Sequence, residues 1–108
     1  MEDVIKGLYE VILSRRENRQ EGSYTCYLFD KGLDKILKKC GEECSEVIIA
    51  AKNGIQEETV GEICDLCYHL LVLMAEQGIP LEKVGEELER RRQKIGNLKR
   101  MHASDPLS

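Results

Sequence analysis

The chain has 108 residues, a formal net charge of −4, five cysteines, no Trp and one Phe. That length suits one domain with one modest core, and the acidic balance argues against a general nucleic-acid binder. There is no signal-like segment, the most apolar stretch (70–75) is far too short to span a bilayer, and the odd cysteine count predicts free thiols in a cytoplasmic protein. With few aromatics, the core must come from Leu, Ile, Val, Ala and Cys, which favours helices.

Residues 2 to 18 carry a 3.6-type stripe through Val4, Leu8 and Ile12 and read as a first helix. A polar segment ends it. Residues 22 to 29 are rich in aromatic and β-branched side chains but too short and isolated for a sheet, so an ordered loop closed by Gly32 is expected.

A second helix is predicted from about Leu33 to Asn53, with Gly54 as its C′ residue. Leu33, Ile36, Leu37, Cys40, Cys44, Val47, Ile48 and Ala51 fall on one apolar stripe at 100° per residue. Lys35, Lys39, Glu42, Glu43, Glu46 and Ala50 share the neighbouring face, with Glu43 nearest the apolar edge. A third helix is expected from about Gln56 to Gln77. Its face carries Glu58, Glu62, Asp65, His69 and Leu73, and the apolar remainder makes it central. A fourth begins near Pro80, placed at N1, and ends in the basic run Arg90, Arg91, Arg92 and Lys94. Residues 1–100 are expected to form the single domain and 101–108 a loose tail.

Fifteen residues separate Glu46 from Glu62, enough to end one helix, turn at Asn53-Gly54 and start the next antiparallel. The two carboxylate sets then come to similar heights. Two like charges about 4 Å apart cost on the order of 4 kcal/mol at an effective dielectric near 20. Lys39 offsets part of that repulsion. A divalent cation would offset more, and an all-oxygen ligand set selects Mg²⁺ or Mn²⁺ over Zn²⁺. A solvated acidic face is the plainer alternative on spacing alone. His69 reads either as a group steadying a carboxylate or as a satisfied helix histidine. Cys40, Cys44, Cys64 and Cys67 read as small buried hydrophobes rather than a thiolate zinc site, and Cys26 likewise. The arginine run reads as a solvated helix end or as a phosphate clamp.

Two long motifs carry a resemblance. Gly22-Ser23-Tyr24-Thr25-x-x-Leu28-Phe29-x-Lys31-Gly32-Leu33-Asp34-Lys35-Ile36-Leu37-Lys38-Lys39 is followed by Gly41-Glu42-Glu43-x-x-Glu46-Val47-Ile48-Ile49-Ala50-Ala51-Lys52. Further on come Glu62-x-x-Asp65-Leu66-x-Tyr68-His69-Leu70-Leu71-Val72-Leu73 and Glu87-Leu88-x-x-Arg91. Together they resemble the phosphoribosyl-ATP pyrophosphatase family over nearly the whole chain. The acidic pattern alone is shared more widely, with MazG-type and dimeric dUTP pyrophosphatases.

The resemblance implies an all-α, four-helix, MazG-like fold whose helices pack across a homodimer, with pairing of dimers left open. It implies Mg²⁺-dependent hydrolysis of phosphoribosyl-ATP to phosphoribosyl-AMP and pyrophosphate, the second step of histidine biosynthesis; no segment here resembles the cyclohydrolase domain to which such enzymes are often fused, so a stand-alone form is expected. By motif position, Glu43, Glu46, Glu62 and Asp65 would hold the metal. Glu42 would be a further ligand or orient the attacking water, Glu42 or Glu46 would take its proton, and Lys39 would meet a phosphate or steady the carboxylates. Ser23, Tyr24 and Thr25 would line the nucleotide, and Arg91 would meet a terminal phosphate. A house-cleaning nucleoside triphosphate pyrophosphatase and a non-catalytic helical dimer are the competing readings.

Overall fold

The computed structural model describes residues 1–95; the expected tail at 101–108 lies outside them. Five α-helices follow one another: α1 (Glu2–Glu17), α2 (Tyr24–Lys31), α3 (Leu33–Asn53), α4 (Gln56–Gln77) and α5 (Leu81–Ile95). No strand occurs among the described residues. The all-helical expectation therefore holds, with one helix more than the four predicted.

The extra helix is α2, in place of the expected loop. Its aromatic content suggested extended backbone, but local capping decides the matter. Ser23 sits at the N-cap in extended conformation, and its Oγ accepts the backbone N–H of Cys26 at 3.2 Å. At the other end Gly32 takes φ 91°, and its N–H donates to Leu28 O at 3.0 Å. A capped start and a glycine stop enclose eight residues, whose Cys26 and Leu28 turn inward.

The longer helices lie close to their predicted bounds. Gly54 and Gly78 adopt the left-handed conformation that ends α3 and α4. Pro80 precedes α5 rather than occupying its first turn.

The largest interface joins α3 to α4. Their short connection and the Cys40–His69 contact make them an antiparallel pair. α1 and α2 pack across this pair, and the four side chains with essentially no exposure (Ile12, Leu28, Ile36 and Val72) come one from each of α1 to α4. Tyr9 donates its hydroxyl to Ile79 O at 2.6 Å, and Arg16 donates to Ala75 O, so α1 is tied to the end of α4.

The predicted α3 stripe divides in two. Ile36 and Cys40 are buried, whereas Leu37, Cys44, Ile48 and Ala51 face outward. α4 and α2 together cover only part of this wide apolar face. The expectation that all five cysteines are buried is likewise corrected: Cys26 and Cys40 are buried and Cys67 partly so, but Cys44 and Cys64 are exposed. Among the described residues, no helix is long and apolar enough to cross a membrane.

Candidate active site

The α3–α4 pair brings the two acidic sets together. Glu43 from α3 and Glu62 and Asp65 from α4 each offer a carboxylate oxygen, all within 4.8 Å of one another. Glu43 is the most covered of the expected α3 acids, its side chain only 12% exposed. This follows from its place at the margin of the buried stripe.

The electrostatics show an excess of negative charge. Burial and the charges of Asp65, Glu43 and Glu46 push the Glu62 carboxyl above its ordinary value. A cation among these oxygens would relieve that repulsion, and the donors are the hard oxygens that Mg²⁺ or Mn²⁺ prefers. The residues therefore fit such an ion.

Lys39 stands one turn before the cluster. Its Nζ lies 3.2 Å from Glu42 and 3.7 Å from Glu43. The hydrogen bond from Lys39 holds the Glu42 carboxyl below its ordinary value, and the same bond holds the Lys39 ammonium above its own. Glu42 thus leans towards Lys39 and is absent from the three-oxygen group.

Glu46 stands one turn further along α3. It shares a cleft of about 410 Å³ with Glu62 and Asp65, continued by Asn53 and Glu58. Asn53 was not singled out as a site residue. It sits seven positions after Glu46, two turns along the same face, so helical periodicity carried the signal.

The loop motif now lies at the start of α2. Ser23 Oγ caps the helix. Thr25 Oγ1 hydrogen-bonds the Tyr68 hydroxyl on α4. Tyr24 packs beside Tyr27 and Tyr68, with ring centroids 5.9 and 6.2 Å away, and its hydroxyl lies 3.1 Å from His69 Nε2. Burial raises the Tyr24 phenol, Glu43 and Glu42 raise it further, and Lys39 pulls it down, so the side chain senses the acidic cluster. His69 itself is 5% exposed, and its Nδ1 lies 2.7 Å from the backbone carbonyl of Asp65. The contact is to the main chain, not to the Asp65 carboxylate.

Arg91 is not brought to this group. It lies exposed on α5, and its ionic partner is Glu87, at 2.9 Å on the same helix.

Comparison with known proteins identifies the family. A family model described as phosphoribosyl-ATP pyrophosphohydrolase matches residues 5–92. Proteins named phosphoribosyl-ATP pyrophosphatase are similar over most of their length. The one from Clostridium novyi (strain NT) is 57% identical over 97 residues, covering 90% of this chain and 88% of its own. That of Pelotomaculum thermopropionicum is 61% identical over 92 residues, covering 85% and 94%. That of Bacillus mycoides is 54% identical over 98 residues, covering 91% and 92%. All-helical architecture and a carboxylate-built centre are thus joined to a hydrolase class. Within that class, the chain belongs to the phosphoribosyl-ATP pyrophosphohydrolase family.

Proposed function

We propose that this chain hydrolyses the α–β phosphoanhydride of phosphoribosyl-ATP to phosphoribosyl-AMP and pyrophosphate, in histidine biosynthesis, and that it uses Mg²⁺. The names of its relatives supply the substrate. The observation that carries the chemistry is the convergence of Glu43, Glu62 and Asp65 within 4.8 Å, with Lys39 beside them.

Glu43, Glu62 and Asp65 would hold the ion, with Glu46 at the rim of the same cleft. When bound, Mg²⁺ supplies positive charge that draws in phosphate oxygens and eases attack at phosphorus. The carboxylates would fix the place of that charge, and Lys39 offers its ammonium to a phosphate oxygen. Water attacks the phosphorus, its proton passes to a carboxylate, and pyrophosphate departs. Of the two candidate bases, Glu46 suits the task better. Glu42 is paired with Lys39 and held at low pKa, which makes it a weak proton acceptor. Tyr24, whose phenol feels the charges of Glu43, Glu42 and Lys39, would meet the nucleotide, and Ser23 and Thr25 at the start of α2 would line it. Arg91 would meet a terminal phosphate only after leaving Glu87.

A second copy of the chain is part of this proposal. Leu37, Gly41, Cys44, Ile48 and Ala51 on α3 repeat at alternating steps of four and three, and all are exposed. Val60, Ile63, Cys67, Leu70 and Met74 do the same on α4, exposed or half-buried. That is the spacing of a coiled-coil seam. By helical periodicity both seams open on the same side of the antiparallel pair, so two chains can bury them as a four-helix bundle.

The decisive experiment replaces Glu43, Glu62 or Asp65 by its amide and follows Mg²⁺-dependent pyrophosphate release. Each variant is expected to lose about 100-fold or more in kcat, the scale of removing one preorganised electrostatic contact. Unchanged turnover in a folded variant would overturn the mechanism. Phosphoribosyl-ATP is expected to be consumed well ahead of dUTP and dCTP; the reverse order would assign the site to house-cleaning of nucleoside triphosphates.

A further inference from the structure

His69 is a buried, titratable side chain with no part in the chemistry above. Both ring nitrogens are engaged: Nδ1 lies 2.7 Å from Asp65 O and Nε2 lies 3.1 Å from the Tyr24 hydroxyl. A carbonyl oxygen can only accept. Nδ1 of the neutral ring must therefore carry the proton and donate it to Asp65 O, which already accepts the His69 amide as its helical partner. Nε2 is left with a lone pair, so Tyr24 O–H donates to it. This settles the direction of the phenol: its hydrogen points inward to α4 and its oxygen lone pairs are left to accept from a donor, with the charges of Lys39 and Glu43 acting on the phenol.

We infer that His69 is a positioning residue, which turns the Tyr24 hydroxyl so that the phenolic oxygen faces the mouth of the acidic cluster as a hydrogen-bond acceptor. The ring is well suited to hold this setting. It sits edge-on to Tyr24 and Tyr68, with centroids 5.8 and 4.9 Å away and interplanar angles of 76° and 85°. Tyr68 is itself bonded to Thr25, two bonds thus joining α2 to α4 within one turn of each other. The acceptor so presented recognises a donor group on the substrate, such as an amino or hydroxyl group of the nucleotide, or steadies the Lys39 ammonium. A phosphate oxygen, which can only accept, would be turned away from this side and towards Lys39.

This inference rests on the reading of the site given above, and its test separates the two. Nitrogen NMR of the full chain reads the ring directly; His69 and His102 are its two histidines, and His69→Gln identifies the signals. The Nδ1–H tautomer is expected, with the Nε2 resonance moving when Tyr24→Phe removes the hydroxyl. An Nε2–H tautomer, or an Nε2 resonance indifferent to Tyr24→Phe, overturns the inference whether or not phosphoribosyl-ATP is the substrate. Steady-state kinetics supplies the second reading. His69→Phe and Tyr24→Phe are each expected to lower kcat/KM about tenfold, the equivalent of one hydrogen bond, and the double variant no further than the worse single one. His69→Gln, whose amide oxygen reaches near the Nε2 position, is expected to recover part of the loss. Independent, multiplying losses with no recovery by Gln would make His69 a packing residue and overturn the positioning role. If the natural chain fails to turn over phosphoribosyl-ATP, the substrate assignment falls and the NMR result stands on its own.

Discussion

Cys40 on α3 places its Sγ 3.5 Å from the carbonyl oxygen of His69 on α4, and this buried contact marks the register of the two helices. Glu43 lies three residues beyond Cys40, and Asp65 lies four before His69. In an antiparallel pair those steps run the same way, about 4.5 and 6 Å along the axis at 1.5 Å per residue. The register that brings the cysteine to the histidine carbonyl therefore brings the carboxylates together as well.

Cys40→Ala is expected to cost about 1 kcal/mol, as a small buried deletion does, and to leave Mg²⁺ binding nearly intact. Cys40→Phe overfills the seam at a cost of about 1–3 kcal/mol and should spread the carboxylates apart. Urea unfolding followed by circular dichroism gives the stabilities, and calorimetric titration with Mg²⁺ gives the binding. Equal Mg²⁺ affinity in the Phe variant would show that the register does not depend on this contact.

The ends of α2 offer a second test. Ser23→Ala removes the cap to Cys26 N–H and is expected to cost about 1 kcal/mol. Gly32→Ala forces a side chain onto φ 91°, at a cost of order 1–3 kcal/mol. No neighbouring atom crowds the added carbon, so the penalty is conformational rather than steric. Both should raise amide exchange across Tyr24–Lys31 before they change α4. Loss of protection in α4 first would contradict this order.

The outward seams lead to a third expectation. Ile48→Glu or Leu70→Glu sets a charge in an apolar stripe that the single chain leaves open, with Ile48 64% and Leu70 43% exposed. Sedimentation is expected to show a dimer for the natural chain and a monomer for either variant. A charge that stayed solvent-exposed would change little, within about 0.5 kcal/mol, so a persistent dimer would place the contact elsewhere.

Acid should loosen α5. Hydrogen bonds from Arg90 and then Arg91 lower the Glu87 carboxyl from its ordinary 4.5 to about 2. A depressed folded value contributes stability that is full above the unfolded value and is lost as pH falls through the folded one. Amide protection of α5 is thus expected to decline between about pH 4.5 and 2, and Glu87→Gln should flatten that decline. The group is exposed, so added salt should shrink the effect. At neutral pH the same substitution frees Arg91, and a fall in KM would show that Glu87 competes with the substrate for it.

Much of the fold was legible beforehand. The ends of α3 and α4 could be placed because Gly54 and Gly78 stop helices by a local mechanism, and Glu43 could be placed near the buried edge by periodicity alone. The miss at α2 has an equally local cause. Thr25 and three aromatics in eight residues look like a strand or loop, whereas Ser23 and Gly32 carried the deciding signals. The split of the α3 stripe was not legible. Leu37 and Ile36 are adjacent and equally apolar, and which of them is buried depends on where α4 and α2 lie.

The sequence by itself determined the four longer helices, the acidic spacing on each of two of them and the family, because caps, periodicity and motif are properties of neighbouring residues. Only the tertiary structure decided which carboxylates converge, that Glu43 joins Glu62 and Asp65 while Glu42 does not, and that His69 holds Tyr24. Those outcomes depend on the rotation and register of one helix against another, which the buried contacts around Cys40, Ile36 and Val72 set jointly and no single stretch of chain encodes.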